Sequence, residues 1–322
     1  MMTINNDILN ALKNSNNVAI CCHIKPDADC LGSASALKSA LIQMGKTADI
    51  FCDSVVSDNF SFLPHIKEVN PVMGVYDLVV AVDCADVSRV GRYISMFKEN
   101  DNSLSIDHHM FGAEKYSKYA LVEDLSSTAL ILFYLFKQME VEITEDIAIA
   151  LYAGMASDTG GFLHSNTTAE LHTVVGEVMQ VIPDVTEINY YLFKKRTKGQ
   201  MELLKTMLNN LRFICDNKVA ISYLTSRDFE RTGTLDSETY GLVDFCTNIE
   251  NVEIGILISE KSKNLYSCSL RGRNRNVSVI ASHFGGGGHM FASGCNIFGG
   301  YKSIIDKLEK VINDNYDRIC EC

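Results

Sequence analysis

No stretch of the 322 residues approaches the roughly 18 consecutive apolar positions that a bilayer-crossing helix needs. The longest apolar run, Ala129 to Phe136, stops at Lys137. The N-terminus, Met-Met-Thr-Ile-Asn-Asn-Asp, lacks the basic segment and apolar core of a secretion signal. The expected compartment is therefore the cytoplasm, with no membrane partner. Cysteines with metal spacing are also missing. There is no CxxC pair, and neither Cys21-Cys22 nor Cys320-Glu321-Cys322 has structural-zinc spacing. The eleven cysteines read as reduced thiols, mostly buried. Positive charge is scarce: 29 Lys and Arg face 40 Asp and Glu, for a net charge of −11. That argues against a duplex-binding surface, which needs many phosphate neutralisations. It leaves room for a short nucleotide held by metal ions and a few local cations. Prolines number four, and no internal repeat or low-complexity segment occurs. The chain reads as globular, and its length suggests two domains.

Short apolar or β-branched runs at 18–22, 47–51, 78–82 and 103–106 predict strands. Helical patterns lie between them, such as Gly32 to Met44, closed by Gly45. This alternation predicts an α/β fold with a mostly parallel sheet flanked by helices. Further helices are predicted over 127–139, from Thr144 with Glu145 and Asp146 in the first turn, and from a capping box at Thr167 and Glu170. Thr186 to Arg212 reads as one long connecting helix, interrupted only at Gly199. Beyond it, strands are predicted at 218–224, 253–258 and 266–270, and helices at 236–246, 278–283 and 302–316. Strict alternation is lost there, which predicts a smaller α+β domain. The expected divisions are 1–185, 186–214 and 215–322.

Carboxylates and imidazoles recur where these elements end, which is where open α/β sheets place their chemistry. His23, Asp27 and Asp29 form a His-x-x-x-Asp-x-Asp pattern after the first strand. On a loop, alternate residues point to one side, so Asp27 and Asp29 could face a metal pair together. Pro26 would stiffen that turn, and Gly32 would permit tight entry into the next helix. A polar loop with a helix N-cap is the plain alternative. Asp83 ends the third run, where its two oxygens can bridge two cations; an ordinary turn carboxylate, as Asp86 reads, is the alternative. In Asp107-His108-His109, two adjacent imidazoles are costly to bury without partners. One ring can ligate while the other reaches a substrate, and Asp107 can fix a ring tautomer. Asp158, within Ser-Asp-Thr-Gly-Gly-Phe, completes a set of six: His23, Asp27, Asp29, Asp83, His108 and Asp158. These are the types and number needed to hold two hard divalent metals about 3.5–4 Å apart.

A second cluster lies late in the chain: Arg271-Gly272-Arg273-Asn274-Arg275, then Gly285, Gly286, Gly287, Gly288 and His289. Four glycines can expose backbone N–H groups to a phosphate, which Arg271 can grip bidentately. A flexible hairpin is the alternative. His65, His164 and His172 fit no site. Lys194, Lys195, Arg196 and Lys198 read as a solvated helix face, with a rail for a nucleotide's backbone as the alternative.

The five blocks His-x-x-Pro-Asp-x-Asp-x-x-Gly-Ser, Val-Asp, Asp-His-His, Ser-Asp-Thr-Gly-x-Phe and Gly-Gly-Gly-Gly-His occur in this order. In this they resemble the DHH phosphoesterase superfamily, in the branch with a DHH-associated C-terminal domain. The resemblance covers nearly the whole chain. It implies that His23, Asp27 and Asp83 hold one metal, and that Asp29, Asp83, His108 and Asp158 hold the other. It further implies that His109 faces the scissile phosphate, with Arg271 and His289 contacting the nucleotide. The implied cofactor is a pair of divalent ions, usually Mn²⁺. Oxygen-rich ligation with two imidazoles suits Mn²⁺ chemically, though spacing also admits Co²⁺, Mg²⁺ or Zn²⁺. Similar proteins often carry Arg-Ser where this chain has Arg271-Gly272, and Ala-Ala-Gly where it has Ala292-Ser293-Gly294. Both departures lie in the nucleotide-gripping domain.

The expected activity is metal-assisted hydrolysis of short oligoribonucleotides or of 3′-phosphoadenosine 5′-phosphate, with Asp83, His109 and Arg271 as catalytic groups. The partners are short single-stranded RNA or small nucleotides, and a homodimer is allowed. The second domain is expected to close over the substrate with the connector as hinge. A cyclic or linear dinucleotide phosphodiesterase is the rival enzyme reading. A pyrophosphatase shares the metal motifs, but the glycine block ending in His289 speaks against it. A non-catalytic nucleotide sensor is the rival from another class, disfavoured because every expected ligand is present.

Overall fold

A computed structural model describes residues 3–109, 117–239 and 241–320, which leaves the Cys322 position outside it. The chain divides into two compact units, Met1–Lys195 and Arg196–Cys322.

The first unit is built on five strands: β1 (Asn17–Cys21), β2 (Thr47–Phe51), β3 (Leu78–Val82), β4 (Ser103–Asp107) and β5 (Tyr119–Val122). They run in the order β2-β1-β3-β4-β5, and every pairing is parallel. β3 and β4 are buried along their whole length, as strands covered on both faces must be, and this explains their apolar or small composition up to Asp107. Chain order reverses between β1 and β3, which opens a crevice at the carboxyl ends of those strands. The α/β expectation holds. β5 was not foreseen: it is a short edge strand with one fully buried residue, Leu121.

The helix after β1 runs Ala28–Gln43 and is buried along most of its length. Its small residues let the helix Glu145–Asp158 pack very closely. Gly32 sits mid-helix rather than at the helix entry, and a Cβ there would lie 2.5 Å from the Ala150 carbonyl oxygen. The helix after residue 168 is capped one position later than expected. Thr168 accepts the Leu171 N–H, while Glu170 takes the Tyr134 hydroxyl instead of closing a capping box.

The connector is not one helix. Thr186–Asn189 continues into a π turn, Tyr190–Lys194, and Lys195 then adopts extended backbone. Thr197 starts a new helix, Lys198–Asn209, through a reciprocal capping box with Gln200. That start signal overrides the continuous helical pattern. Ile188, Leu192 and Phe193 pack on the core of the first unit, which therefore extends past residue 185.

The second unit carries β6 (Arg212–Ile214), β7 (Val219–Leu224), β8 (Ile254–Ser262), β9 (Leu265–Gly272), β10 (Gly287–His289) and β11 (Ala292–Phe298). The order is β10-β11-β9-β8-β7-β6, with β7 and β8 parallel and the other pairs antiparallel. This mixed sheet with flanking helices matches the α+β expectation. The helix expected over 236–246 is instead a 3₁₀ turn, Asp236–Thr239, followed by one helical turn, Asp244–Thr247. Among the described residues no helix is long and apolar enough to cross a membrane.

Candidate metal centre

The ends of β1, β3 and β4 deliver the polar residues. His23 stands two positions past β1 and is 3% exposed; Asp83 follows β3 and is 2% exposed; Asp107 closes β4 and is fully buried. Asp83 adopts a left-handed backbone, φ 58°, unusual for a residue with a Cβ. Such strain persists only where surrounding contacts impose it, and it gathers at functional sites.

Asp27 and Asp29 do not alternate along a loop. Asp27 is the N-cap of Ala28–Gln43, and its Oδ1 accepts the Asp29 and Cys30 N–H groups. Asp29 lies in the first helical turn, fully buried. Its Oδ2 accepts the Thr128 N–H at 2.7 Å and its Oδ1 the Ala129 N–H at 3.0 Å. Both donors belong to the first turn of the helix Thr128–Gln138, whose unpaired N–H groups and dipole favour a carboxylate. Gly154 makes this seat possible, because a Cβ there would stand 2.5 Å from Asp29 Oδ1 and 2.6 Å from the Ala129 Cβ.

All six expected ligands converge. His23 Nε2 lies 3.4 Å from Asp83 Oδ2 and 3.9 Å from Asp27 Oδ1. His108 Nε2 lies 3.5 Å from Asp83 Oδ1 and 3.1 Å from Asp158 Oδ2. Asp83 thus turns one oxygen toward each imidazole, while the Thr128 hydroxyl donates to its Oδ1 at 3.1 Å. Ligand atoms of Asp29, His108 and Asp158 also fall within 4.8 Å of one another.

The donor chemistry calls for cations. His23 Nδ1 is 2.9 Å from the Ile24 carbonyl oxygen, and His108 Nδ1 is 3.2 Å from that of Leu125. A carbonyl only accepts, so each Nδ1 carries a proton and each Nε2 is the atom that faces carboxylate oxygens. A ring nitrogen set against carboxylate oxygens needs a proton or a metal between them. The electrostatics agree. Burial, then the charges of Asp83 and Asp27, holds the Asp29 carboxyl well above the ordinary range, against two N–H donors. Burial and the charges of Asp29 and Asp83 do the same to Asp158. The oxygen-rich set with two imidazoles therefore fits divalent ions of the Mn²⁺ type.

Cys30 also approaches His23 and Asp83. Its Sγ accepts the His23 N–H at 3.3 Å and donates to the Val82 carbonyl at 3.5 Å, and burial raises its pKa well above that of a free thiol. A thiol so engaged packs beneath the site rather than ligating.

His109 is placed differently from His108. Asp107 Oδ1 accepts both its backbone N–H at 2.9 Å and its Nδ1–H at 2.7 Å. Burial opposes protonation of this ring, but the Asp107 hydrogen bond and the Asp83 charge outweigh it and raise the pKa. Asp107 Oδ2 is buried with no hydrogen-bond partner among the described residues.

The second unit holds Arg271 and His289. In the register across β10, β11 and β9, His289 pairs with Ala292 and Ala292 with Arg271, so all three share one face of that sheet. Arg271 Nε is 3.4 Å from Asp244 Oδ1. The glycine run is only partly what the sequence implied. The Gly285 and Gly286 N–H groups bond to the Ser282 and Ala281 carbonyls, so neither is open to a phosphate. Gly287 and Gly288 belong to the β10–β11 hairpin, and a Cβ on Gly286 would lie 2.2 Å from the Gly294 carbonyl oxygen. Glycine is needed there for backbone packing. At Gly272 a Cβ would meet the Arg275 carbonyl at 2.0 Å, which accounts for glycine after Arg271.

Sequence reasoning passed over Thr128, the Ile24 and Leu125 carbonyls, and Gly154. The polar triplet Ser126-Ser127-Thr128 before an apolar run signals a helix start. Nothing local signals that the start faces Asp29. Replacing Gly154 by Ala should favour the helix by about 1 kcal/mol from propensity alone. The collision with Asp29 should reverse that, giving a net loss of about 1–3 kcal/mol in thermal unfolding and a more than roughly tenfold loss of turnover. A stabilised and fully active variant would contradict the placement of Asp29.

Residues 17–155 match the model of the DHH family, N-terminal domain. The probable bifunctional oligoribonuclease and PAP phosphatase NrnA of Streptococcus mutans is 27% identical over 301 residues, spanning 92% of this chain and 94% of that protein. The bifunctional oligoribonuclease and PAP phosphatase NrnA of Bacillus subtilis is 27% identical over 282 residues, spanning 86% of this chain and 88% of that one. Among solved structures, an exopolyphosphatase-related protein from Bacteroides fragilis aligns with a TM-score of 0.90 at 20% identity, covering 98% of this chain and 97% of that one.

Proposed function

We propose that this chain, whose residues 17–155 match the DHH family, N-terminal domain, is a cytoplasmic phosphoesterase that hydrolyses short oligoribonucleotides and 3′-phosphoadenosine 5′-phosphate. The names of the relatives at 27% identity over most of both chains support the substrate class. The observation that carries the reading is Asp83, buried and strained, with one oxygen toward His23 and the other toward His108. His23, Asp27 and Asp83 would hold one divalent ion, and Asp29, Asp83, His108 and Asp158 a second, with Mn²⁺ the best chemical match. Bound divalent ions supply Lewis-acid activation of water and neutralise charge gathering on phosphoryl oxygens.

The rest falls to side chains. The His23 and His108 rings are held through Nδ1 to the Ile24 and Leu125 carbonyls, which fixes the tautomer that presents Nε2. Thr128 and the first turn of its helix orient Asp83 and Asp29. His109 keeps Nδ1 on Asp107, so a proton at its Nε2 can be donated to a phosphoryl or departing ribose oxygen. Arg271 and His289, on one face of the second sheet, would contact the nucleotide.

Replacing His109 by Gln is expected to cut kcat about 10²- to 10⁴-fold while Mn²⁺ binding stays intact, because His109 donates a proton rather than ligating. Pre-steady-state turnover beside a Mn²⁺ titration checks this; joint loss of both would make His109 a ligand. The activity itself is tested with Mn²⁺ and three substrates side by side: 3′-phosphoadenosine 5′-phosphate, dinucleotides and cyclic di-AMP. A labelled oligoribonucleotide length series extends the test. Equal rates on dimers and thirty-mers would count against the short-substrate reading, and release of product from cyclic di-AMP alone would replace it with a cyclic-dinucleotide phosphodiesterase.

A further inference from the structure

The loop after Asp83 carries a cation that the scheme above does not use. Asp86 caps a 3₁₀ segment, Val87–Tyr93, by accepting the Ser88 N–H. The far end is pinned where the Arg92 N–H meets Asp53 Oδ2 at 2.8 Å, beside Gly91. Gly91 has φ 61°, and a Cβ there would stand 2.3 Å from that carboxylate. Between these anchors, the Arg89 carbonyl accepts the Ile24 N–H at 2.6 Å. Ile24 is the residue whose own carbonyl tethers the His23 ring. Arg89 is thus stitched to the strand end that supplies His23 and Asp27.

The Arg89 side chain is half-buried. Arg92, three residues on, is engaged by Asp53 and the Tyr93 hydroxyl. The Arg89 guanidinium, by contrast, makes no hydrogen bond or ion pair among the described residues. Its charge is the smallest of the influences on two groups of the cage, after burial and His23 for Asp27, and after burial, Asp107 and Asp83 for His109; it favours the ionised Asp27 and disfavours a charged His109. A guanidinium meant only to balance these carboxylates would pair with one of them, because such pairs are the strong ones. Arg89 is held by its backbone beside the strand end that carries His23, with no partner for its guanidinium donors among the described residues. A planar fork of N–H groups at that position matches a tetrahedral oxyanion.

We propose that Arg89 is a substrate-contacting residue of the first unit, binding the non-bridging oxygens of the phosphate ester at the carboxylate–imidazole cage. This rests on the phosphoesterase reading and extends it, since it puts a phosphate-binding cation in the same unit as the metal ligands. The ligand class is a phosphate monoester or a terminal phosphodiester, recognised through phosphorus-bound oxygens rather than through the base.

The test uses the full-length, Mn²⁺-loaded protein with Arg89→Ala and Arg89→Lys. Three quantities are measured: inorganic phosphate binding by titration calorimetry, KM and kcat on 3′-phosphoadenosine 5′-phosphate, and the Mn²⁺-induced rise in melting temperature. Arg89→Ala should weaken phosphate binding and raise KM about 10- to 100-fold. Arg89→Lys should fall between, and the Mn²⁺-induced rise should stay as in the wild type. Should Arg89→Ala fail to fold, the Lys variant and its partial loss of phosphate affinity decide the matter. Unchanged phosphate affinity would overturn the proposal. So would loss of the Mn²⁺ response, which would make Arg89 a support of the cage. A wild-type protein that binds phosphate but hydrolyses no ester would sink the phosphoesterase reading alone, and phosphate titration would still judge Arg89. A wild type that binds no phosphate would overturn the Arg89 assignment too.

Discussion

Replacing Asp83 by Asn is expected to lower phosphoesterase turnover by at least about a thousandfold, the largest effect of any single change in the chain. The substitution keeps the shape of the side chain and can still receive the Thr128 hydroxyl. It removes one of the two anionic oxygens, and among the described residues Asp83 is the carboxylate that faces both the His23 and the His108 rings, at 3.4 Å and 3.5 Å. No neighbour can take over. Asp29 is committed to the first turn of Thr128–Gln138, and Asp158 stands on the His108 side. Circular dichroism should show an intact fold, because the change leaves the apolar core untouched. Turnover at saturating Mn²⁺ measures the effect. A loss of less than about tenfold would mean that catalysis does not depend on a shared carboxylate.

The second large effect is on stability. Without a cation the cage holds clustered acids and rings that bind protons more tightly folded than unfolded. Burial and neighbouring carboxylates raise the pKa values of Asp29 and Asp158, and partner groups raise those of His23 and His109 despite burial. The sign follows from linkage. Where the folded state holds more protons than the unfolded one, stability falls as pH rises through the raised folded pKa values. Asp27, whose pKa is lowered, acts the other way, but only at more acid pH. The metal-free protein should therefore be less stable at pH 8 than at pH 5.5. Mn²⁺ replaces those protons. At a hundred times its dissociation constant it should contribute about 2.7 kcal/mol, or roughly 5–10 °C in the melting temperature of a unit this size. The rise should be larger at pH 8 than at pH 5.5. A chelator should reverse it and abolish turnover, and Asp83→Asn should show little of it. Calorimetric scans at the two pH values decide; a Mn²⁺ effect independent of pH would contradict the proton-for-metal exchange.

Much of the site was legible because parallel strands end abruptly. Buried runs such as Leu78–Val82 leave a polar residue at their carboxyl ends, and Asp83 and Asp107-His108-His109 stand out against them. What stayed hidden depends on contacts between distant parts of the chain. Asp29 meets the Thr128 and Ala129 amides across about a hundred residues, and Gly154 yields the space for it. The loop reading of Asp27 and Asp29 failed because a capping carboxylate and a ligating one look alike in sequence. Asp27 caps its helix while standing beside His23. The connector was misread for the opposite reason. Its helical pattern continues past Lys195, and the capping box at Thr197 and Gln200 was passed over. In the second unit, the glycine run read first as a phosphate loop, with a hairpin as the alternative; two of its glycines pack backbone against backbone in the β10–β11 hairpin.

The most direct measurement is anomalous scattering at the manganese edge from crystals grown with Mn²⁺. Two peaks about 3.5–4 Å apart are predicted, one beside His23 and Asp27, one beside Asp29, His108 and Asp158, with Asp83 reaching both. A single peak away from Asp83, or none with the six side chains still gathered, would contradict the account.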